Sequence, residues 1–394
     1  MSDSDLRRNG TATHDGANSD QASTAIGAEH GSRGTDHHGE GARAGGAGAI
    51  RKGKGRTKSG SSIPKGLESL GLSVDDLLED YRLARLSREM SQIGRREVLT
   101  GKAKFGIFGD GKELPQIALA KFFRDGDFRS GYYRDQTLMM ALGQLSPTEF
   151  FAQLYADPDP AHDPHSAGRQ MTSHFSTRLV DGQGEWLEQT RSKNSAADLS
   201  PTAGQMPRML GLAQASVIYR GNPELADRSS FSNDGNEVVF GTIGDASTSE
   251  GIFWETMNAA GVLQVPVVMS VWDDGFGISV PRSYQTVKDS ISKALDGFRR
   301  EPDSPGFEIL TVKAWDYPGL LATYEHAARL ARQEHVPVLV HVQEVTQPQG
   351  HSTSGSHERY KSAERLQWEE TYCCCNQLRH WMLANSVAEP EELD

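Results

Sequence analysis

Little in this chain could staple it, anchor it in lipid or hold it to nucleic acid. Its three cysteines are consecutive, Cys373 to Cys375. Sequence neighbours cannot bridge distant parts of a fold, so a disulfide scaffold is excluded, and a reducing compartment, the cytoplasm, is expected. No Cys/His spacing suited to a metal surrounds them, and they read as buried thiols. There is no run of about 18 apolar residues, which excludes a transmembrane helix and leaves no membrane partner expected. No apolar segment of the signal-peptide kind comes after Met1. Basic charge is in deficit: 41 Lys and Arg against 53 Asp and Glu give a net charge of −12. Nucleic acid is therefore not expected as a partner.

Aromatics are missing too, for none precedes Tyr81, while 13 of the first 60 residues are glycine. Such a segment cannot bury enough apolar surface to offset the entropy of ordering it. Residues 1–60 are expected to form a disordered tail, and residues 61–394 a folded α/β domain. Acids spread from Asp3 to Glu40 argue against a mitochondrial transit peptide. The basic end of the tail, Arg51 to Lys58, reads as a solvated linker.

The rest of the chain is patterned. Ser73 and Asp76 have the spacing of a capping box, and Leu77, Leu78, Tyr81 and Ala84 recur near the helical period. A second helix is expected over 114–123, and residues 155–205 read as a long polar loop region. Later, strand and helix alternate. Strands are expected over 238–243, 265–272, 307–312 and 336–342, with helices over 249–262 and 320–333. This alternation implies a parallel sheet with helices as crossovers. Ligands of such sheets sit beyond the carboxyl ends of the strands. Asp245 comes after the first of these strands and Asp274 after the second. Carboxylates at two strand ends, one of them before a helix start with free N–H groups, suit a divalent cation on a phosphate ligand.

These same residues carry a resemblance. Gly244-Asp245, Asn258 and the run Trp272-Asp273-Asp274-Gly275-Phe276-Gly277-Ile278-Ser279 resemble the thiamine-diphosphate motif of the 2-oxo acid dehydrogenases. The match is to the α part of the decarboxylating component, of pyruvate and branched-chain type. Tyr133-Arg134-Asp135-Gln136, Gly168-Arg169-Gln170-Met171 with His174, Ser200-Pro201 with Gln205, and Gly350-His351-Ser352-Thr353-Ser354 agree with it in order. The resemblance spans about residues 75 to 390. It implies the thiamine-diphosphate-binding fold, with Mg²⁺ held by the Asp245 and Asp274 side chains and the Phe276 carbonyl. It implies that Tyr133 and Arg134 contact the diphosphate, that Ser200, Gly244 and Ala246 line the cofactor, and that His174 and His351 line the reaction centre. It further implies a 2-oxo acid substrate, a β-type dehydrogenase subunit in a heterotetramer, and a lipoyl acyltransferase that receives the acyl group. In two-part members, the glutamate that faces the cofactor's ring belongs to the β part.

Four positions depart from the family pattern. Ala246 replaces the second glycine of Gly-Asp-Gly. Asp273-Asp274 replaces an Asn-Asn pair, and the added charge is expected to favour the metal. Trp272 stands where an arginine often supplies a diphosphate contact. Gly204 stands where a threonine helps to bind potassium, which leaves that ion open. The departures are most similar to members with fused α and β parts. The chain closes on Pro390-Glu391-Glu392-Leu393-Asp394, a helix start with no helix after it, which reads as a truncated or split form, with a naturally separate α chain as the alternative. The expected function is oxidative decarboxylation of a 2-oxo acid with acyl transfer to a lipoyl group. The alternatives are an acetoin-type thiamine-dependent α subunit and a truncated, non-catalytic assembly subunit.

Overall fold

The computed structural model describes residues 63–64, 67–353 and 356–394. The expectation for residues 1–60 lies outside the described residues. The helix Val74–Leu99 begins where the capping-box spacing puts it: the Ser73 hydroxyl accepts from the Asp76 N–H at 3.1 Å, and the Asp76 carboxylate accepts from the Ser73 N–H at 2.9 Å. Leu77, Tyr81 and Ala84 are buried along its inner face, with Leu78 half-buried. The second helix runs over Glu113–Ala120 and is buried on every side. No helix among the described residues is long and apolar enough to cross a membrane.

Six strands form one parallel sheet: β1 Phe128–Ser130, β2 Asn194–Ser195, β3 Val239–Gly244, β4 Val267–Trp272, β5 Glu308–Lys313 and β6 Val338–Gln343. Their spatial order is β2-β1-β3-β4-β6-β5. The central strands read as near-continuous apolar runs because helices cover both faces, as a parallel sheet requires. Side chains alternate between two cores. Phe240, Val268, Trp272 and Val340 pack into one, and Val239, Met269, Val271 and Leu339 into the other. The crossover after β3 departs from expectation. A short 3₁₀ turn, Ala246–Ser249, comes first, and the α-helix starts only at Gly251 because Glu250 is extended. The crossover after β5 is Tyr317–Arg329, continued by a π-helical turn over Leu330–Glu334. At the carboxyl end, Pro390–Leu393 forms one turn, capped reciprocally by Glu389 and Glu392.

A buried ion cluster ties the sheet to two loops. The Arg129 guanidinium, fully buried, donates to Asp135 at 2.9 Å and to Asp198 at 3.0 Å. It also donates to the Tyr132 carbonyl, while Asp198 accepts from the Phe175 N–H. Arg129 thus fixes the segments that carry Tyr133 and Arg134 on one side and His174 on the other. Replacing it by methionine would strand two buried carboxylates. Arg129→Met is expected to cost about 3–5 kcal/mol of folding stability, measured by urea unfolding.

Candidate active site

β3 and β4 end in register, Gly244 beside Trp272, so Asp245 and Asp274 emerge from adjacent strands. β6 lies on the other side of β4, with Val342 beside Trp272, and the chain beyond it leads to His351. A cleft of about 260 Å³ opens over these ends. It is lined by Tyr133, Arg134, Gly244, Asp245, Ala246, Asp274, Phe276 and His351, eight of the ten residues expected from the sequence. The other two, His174 and Ser200, are outside that lining and bond to one another, Ser200 Oγ to His174 Nε2 at 2.9 Å. A cavity of about 550 Å³ between the helix Val74–Leu99 and Asp394 is larger but lies away from the strand ends.

Three acids crowd the strand ends, and their neighbours sort them. Asp273 accepts from Arg282 at 2.5 Å and from His341 at 2.7 Å. Burial alone would raise its carboxyl, but His341 and Arg282 together hold it below the usual range. Asp273 is therefore held in an internal ion chain, and its charge bears on the cation site only through its repulsion of Asp245. Asp274 accepts from His351 Nε2 at 3.0 Å and lies 3.4 Å from Lys112 Nζ. Burial is again outweighed, here by His351, Lys112 and Arg134, which hold the carboxyl well below its ordinary value. Asp245 has no such relief. It is 3% exposed, and its Oδ2 has no partner. Burial first, then repulsion from Asp274 and Asp273, pushes its carboxyl well above the usual range. A buried carboxylate in that position calls for a cation.

Other polar atoms point the same way. The Tyr132 hydroxyl and His351 Nδ1 are buried without partners. The Phe276 N–H donates to Asp274 Oδ1 at 3.1 Å, which fixes the turn that carries the Phe276 carbonyl. Arg134 lines the cleft, but it also donates to the Phe108 carbonyl at 2.6 Å and the His351 carbonyl at 2.9 Å, so it positions the His351 loop. Sequence reasoning missed Lys112 and Arg365. The latter donates to the Asp274 carbonyl at 2.7 Å and stacks over the Phe276 ring. No local pattern marks either residue, because each meets the site only through the fold. The three cysteines are buried as expected. Glu113, Cys374 and Cys375 lie close enough to share a cation, but Arg88 already clamps Glu113 at 2.7 and 2.9 Å. That cluster is a packed polar contact between helices.

Comparison with known proteins bears on the family of the chain. The family model described as "Dehydrogenase E1 component" matches residues 81–394. The 2-oxoisovalerate dehydrogenase subunit alpha of Bacillus subtilis is 27% identical over 277 residues, 69% of this chain and 72% of that protein. The mitochondrial 2-oxoisovalerate dehydrogenase subunit alpha of Bos taurus is 26% identical over 327 residues, 82% of this chain and 62% of its own length. The mitochondrial subunit alpha 1 of Arabidopsis thaliana is 25% identical over 294 residues, 74% of this chain and 54% of its own length. The match begins inside the helix Val74–Leu99 and covers every strand of the sheet and every acid of the cleft, so the chain belongs to the dehydrogenase E1 component family.

Proposed function

We propose that residues 61–394 form the α part of a branched-chain 2-oxo acid dehydrogenase, which binds thiamine diphosphate with Mg²⁺ and decarboxylates a 2-oxo acid. The acyl group would pass to the lipoyl group of a partner acyltransferase, and a β-type subunit would complete the enzyme as a heterotetramer. One observation carries this reading: Asp245 is buried at a strand end, with an unpartnered oxygen, beside an acid that already has its own cations. That donor set suits a hard divalent ion. Asp245 and Asp274 would hold the cation with the Phe276 carbonyl. Tyr133 and Arg134 would face the diphosphate, and Gly244 and Ala246 would line the cofactor beside them. Bound thiamine diphosphate supplies the electron sink that decarboxylation needs.

The histidines divide the remaining work. His351 engages Asp274 through Nε2 and leaves Nδ1 unpartnered, so Nδ1 is free to hold or move a proton in the cleft. His174 is held by Ser200, which orients the ring and gives Ser200 a supporting role. The test is CO₂ release from 3-methyl-2-oxobutanoate by the chain with its β-type partner and a lipoylated acceptor. Release that requires both thiamine diphosphate and Mg²⁺ is expected. Consumption of acetoin without any turnover of branched 2-oxo acids would move the reaction to the acetoin type. No thiamine-dependent chemistry on either substrate would overturn the reading.

A further inference from the structure

Lys112 is set under the cleft and is only 1% exposed. Gly111 puts it there. That residue has φ +89°, and a side chain on it would run into the Thr346 carbonyl. Lys112 Nζ donates to Gln347 Oε1 at 2.6 Å and lies 3.4 Å from Asp274 Oδ2. A buried ammonium is costly unless it is well paired and fully hydrogen-bonded. These partners fall short of that. Gln347 is neutral, the ion pair is long, and Asp274 is already bonded to His351 at 3.0 Å. Arg134, whose guanidinium bonds the Phe108 carbonyl four residues before Lys112, opposes the Lys112 charge. Two buried cations thus face one small cleft, and two buried acids, Asp274 and Asp110, feel both of them electrostatically.

We propose that Lys112 is a ligand-binding residue whose ammonium contacts the phosphate end of the ligand alongside Arg134. The inference rests on reading the cleft as a metal–diphosphate site. A lysine ammonium suits phosphate as a compact point charge. When metal and phosphate arrive together, Asp274 turns to the cation, and Lys112 exchanges its long contact for a phosphate oxygen. A purely structural Lys112 would instead pin Gln347 and neutralise Asp274. The two roles make opposite demands on a bare cation. A ligand-binding lysine repels an ion at Asp274 until phosphate is present, whereas a structural pin supports the site under all conditions.

The experiment uses the full chain and two probes, Mn²⁺ alone and inorganic pyrophosphate in the presence of Mn²⁺. Free Mn²⁺ is followed by electron paramagnetic resonance and pyrophosphate binding by calorimetry. Lys112→Met is expected to bind bare Mn²⁺ about 3- to 10-fold more tightly, because a charge 3.4 Å from the ligand oxygen is gone. The same variant is expected to bind pyrophosphate about 10- to 100-fold more weakly, as for a lost hydrogen bond between charged groups. Lys112→Arg should restore most of the pyrophosphate affinity. Circular dichroism and melting temperature report folding. If the methionine variant does not fold, Lys112→Gln against Lys112→Arg makes the same comparison. Weakening of both probes in the methionine or glutamine variant would show a structural pin and overturn the proposal, as would no change in either. If the unmodified chain binds neither probe, the metal–diphosphate reading falls with it. If the unmodified chain binds both and the variants match it, only the role of Lys112 falls.

Discussion

Asp245→Asn is expected to abolish Mg²⁺-dependent binding of thiamine diphosphate while stabilising the empty protein. Replacing supporting groups around a metal typically costs 10–100-fold in affinity, so losing a charged ligand should cost at least about 100-fold. The stability effect has the opposite sign. The Asp245 carboxyl is pushed well above its ordinary range by burial and by Asp274 and Asp273. Its ionised form is therefore a liability to the metal-free fold, and a neutral amide removes that liability. The melting temperature of the metal-free variant should rise by a few degrees, roughly what 1 kcal/mol gives in a chain of this size. Metal uptake by the unmodified chain should release a proton, because the ligand form of this acid is its ionised form. Affinity for Mg²⁺ should accordingly grow as pH rises. Calorimetry in buffers of different ionisation enthalpy reads the proton directly. Unchanged affinity in the variant, or metal binding without proton release, would remove Asp245 from the metal set. Asp274→Asn should do less harm, since asparagine is the residue that the resembled family pattern carries at this position.

The same acids separate what is legible in the sequence from what is not. The strand ends are legible because apolar runs such as Val267–Trp272 can only be buried on both faces, and the residue after such a run is placed by the sheet. With β3 and β4 as neighbours, the pairing of Asp245 with Asp274 comes from register alone. The long-range pairing of charges does not. Asp273 reads as a third metal-favouring acid, but Arg282 and His341, the latter 68 residues away, hold it. Lys112 sits in Gly109-Asp110-Gly111-Lys112-Glu113, which reads like any surface turn, yet it meets Asp274 across 162 residues. Nothing local encodes such a contact. The helix start after Asp245 escapes the sequence for a different reason. Ser247, Thr248 and Ser249 suit a helix N-terminus, but Glu250 turns extended and lets the chain begin its long helix only at Gly251.

Without a β-type partner, this chain is expected to bind the cofactor's diphosphate end yet leave 2-oxo acids essentially untouched. The acids that line the cleft are Asp245 and Asp274. Both are committed to the proposed cation, and Asp274 is also bonded to His351. No third carboxylate is within the lining, so the described residues offer no base of that kind at the ring end of the ligand. The resemblance places that base, a glutamate, on the β part. The surface beside the cleft fits a missing wall. Beyond β4, Ile278, which lines the cleft, is 64% exposed, and Tyr284 and Val287 farther along the same segment are 83% and 69% exposed, apolar exposure of the kind that marks an interaction surface. A positioned general base contributes about 10²–10⁴-fold to a rate, so adding the partner should raise single-turnover decarboxylation by at least about 100-fold. Metal-dependent pyrophosphate binding should change far less, because the residues proposed for the phosphate end all belong to this chain. Tyr284→Asp and Val287→Asp should prevent that activation by blocking association, visible as separate peaks in size-exclusion chromatography, without touching the lining of the cleft. Comparable turnover by the lone chain would place the base within these 394 residues. That result would leave the exposed apolar rim without a catalytic reason to be covered.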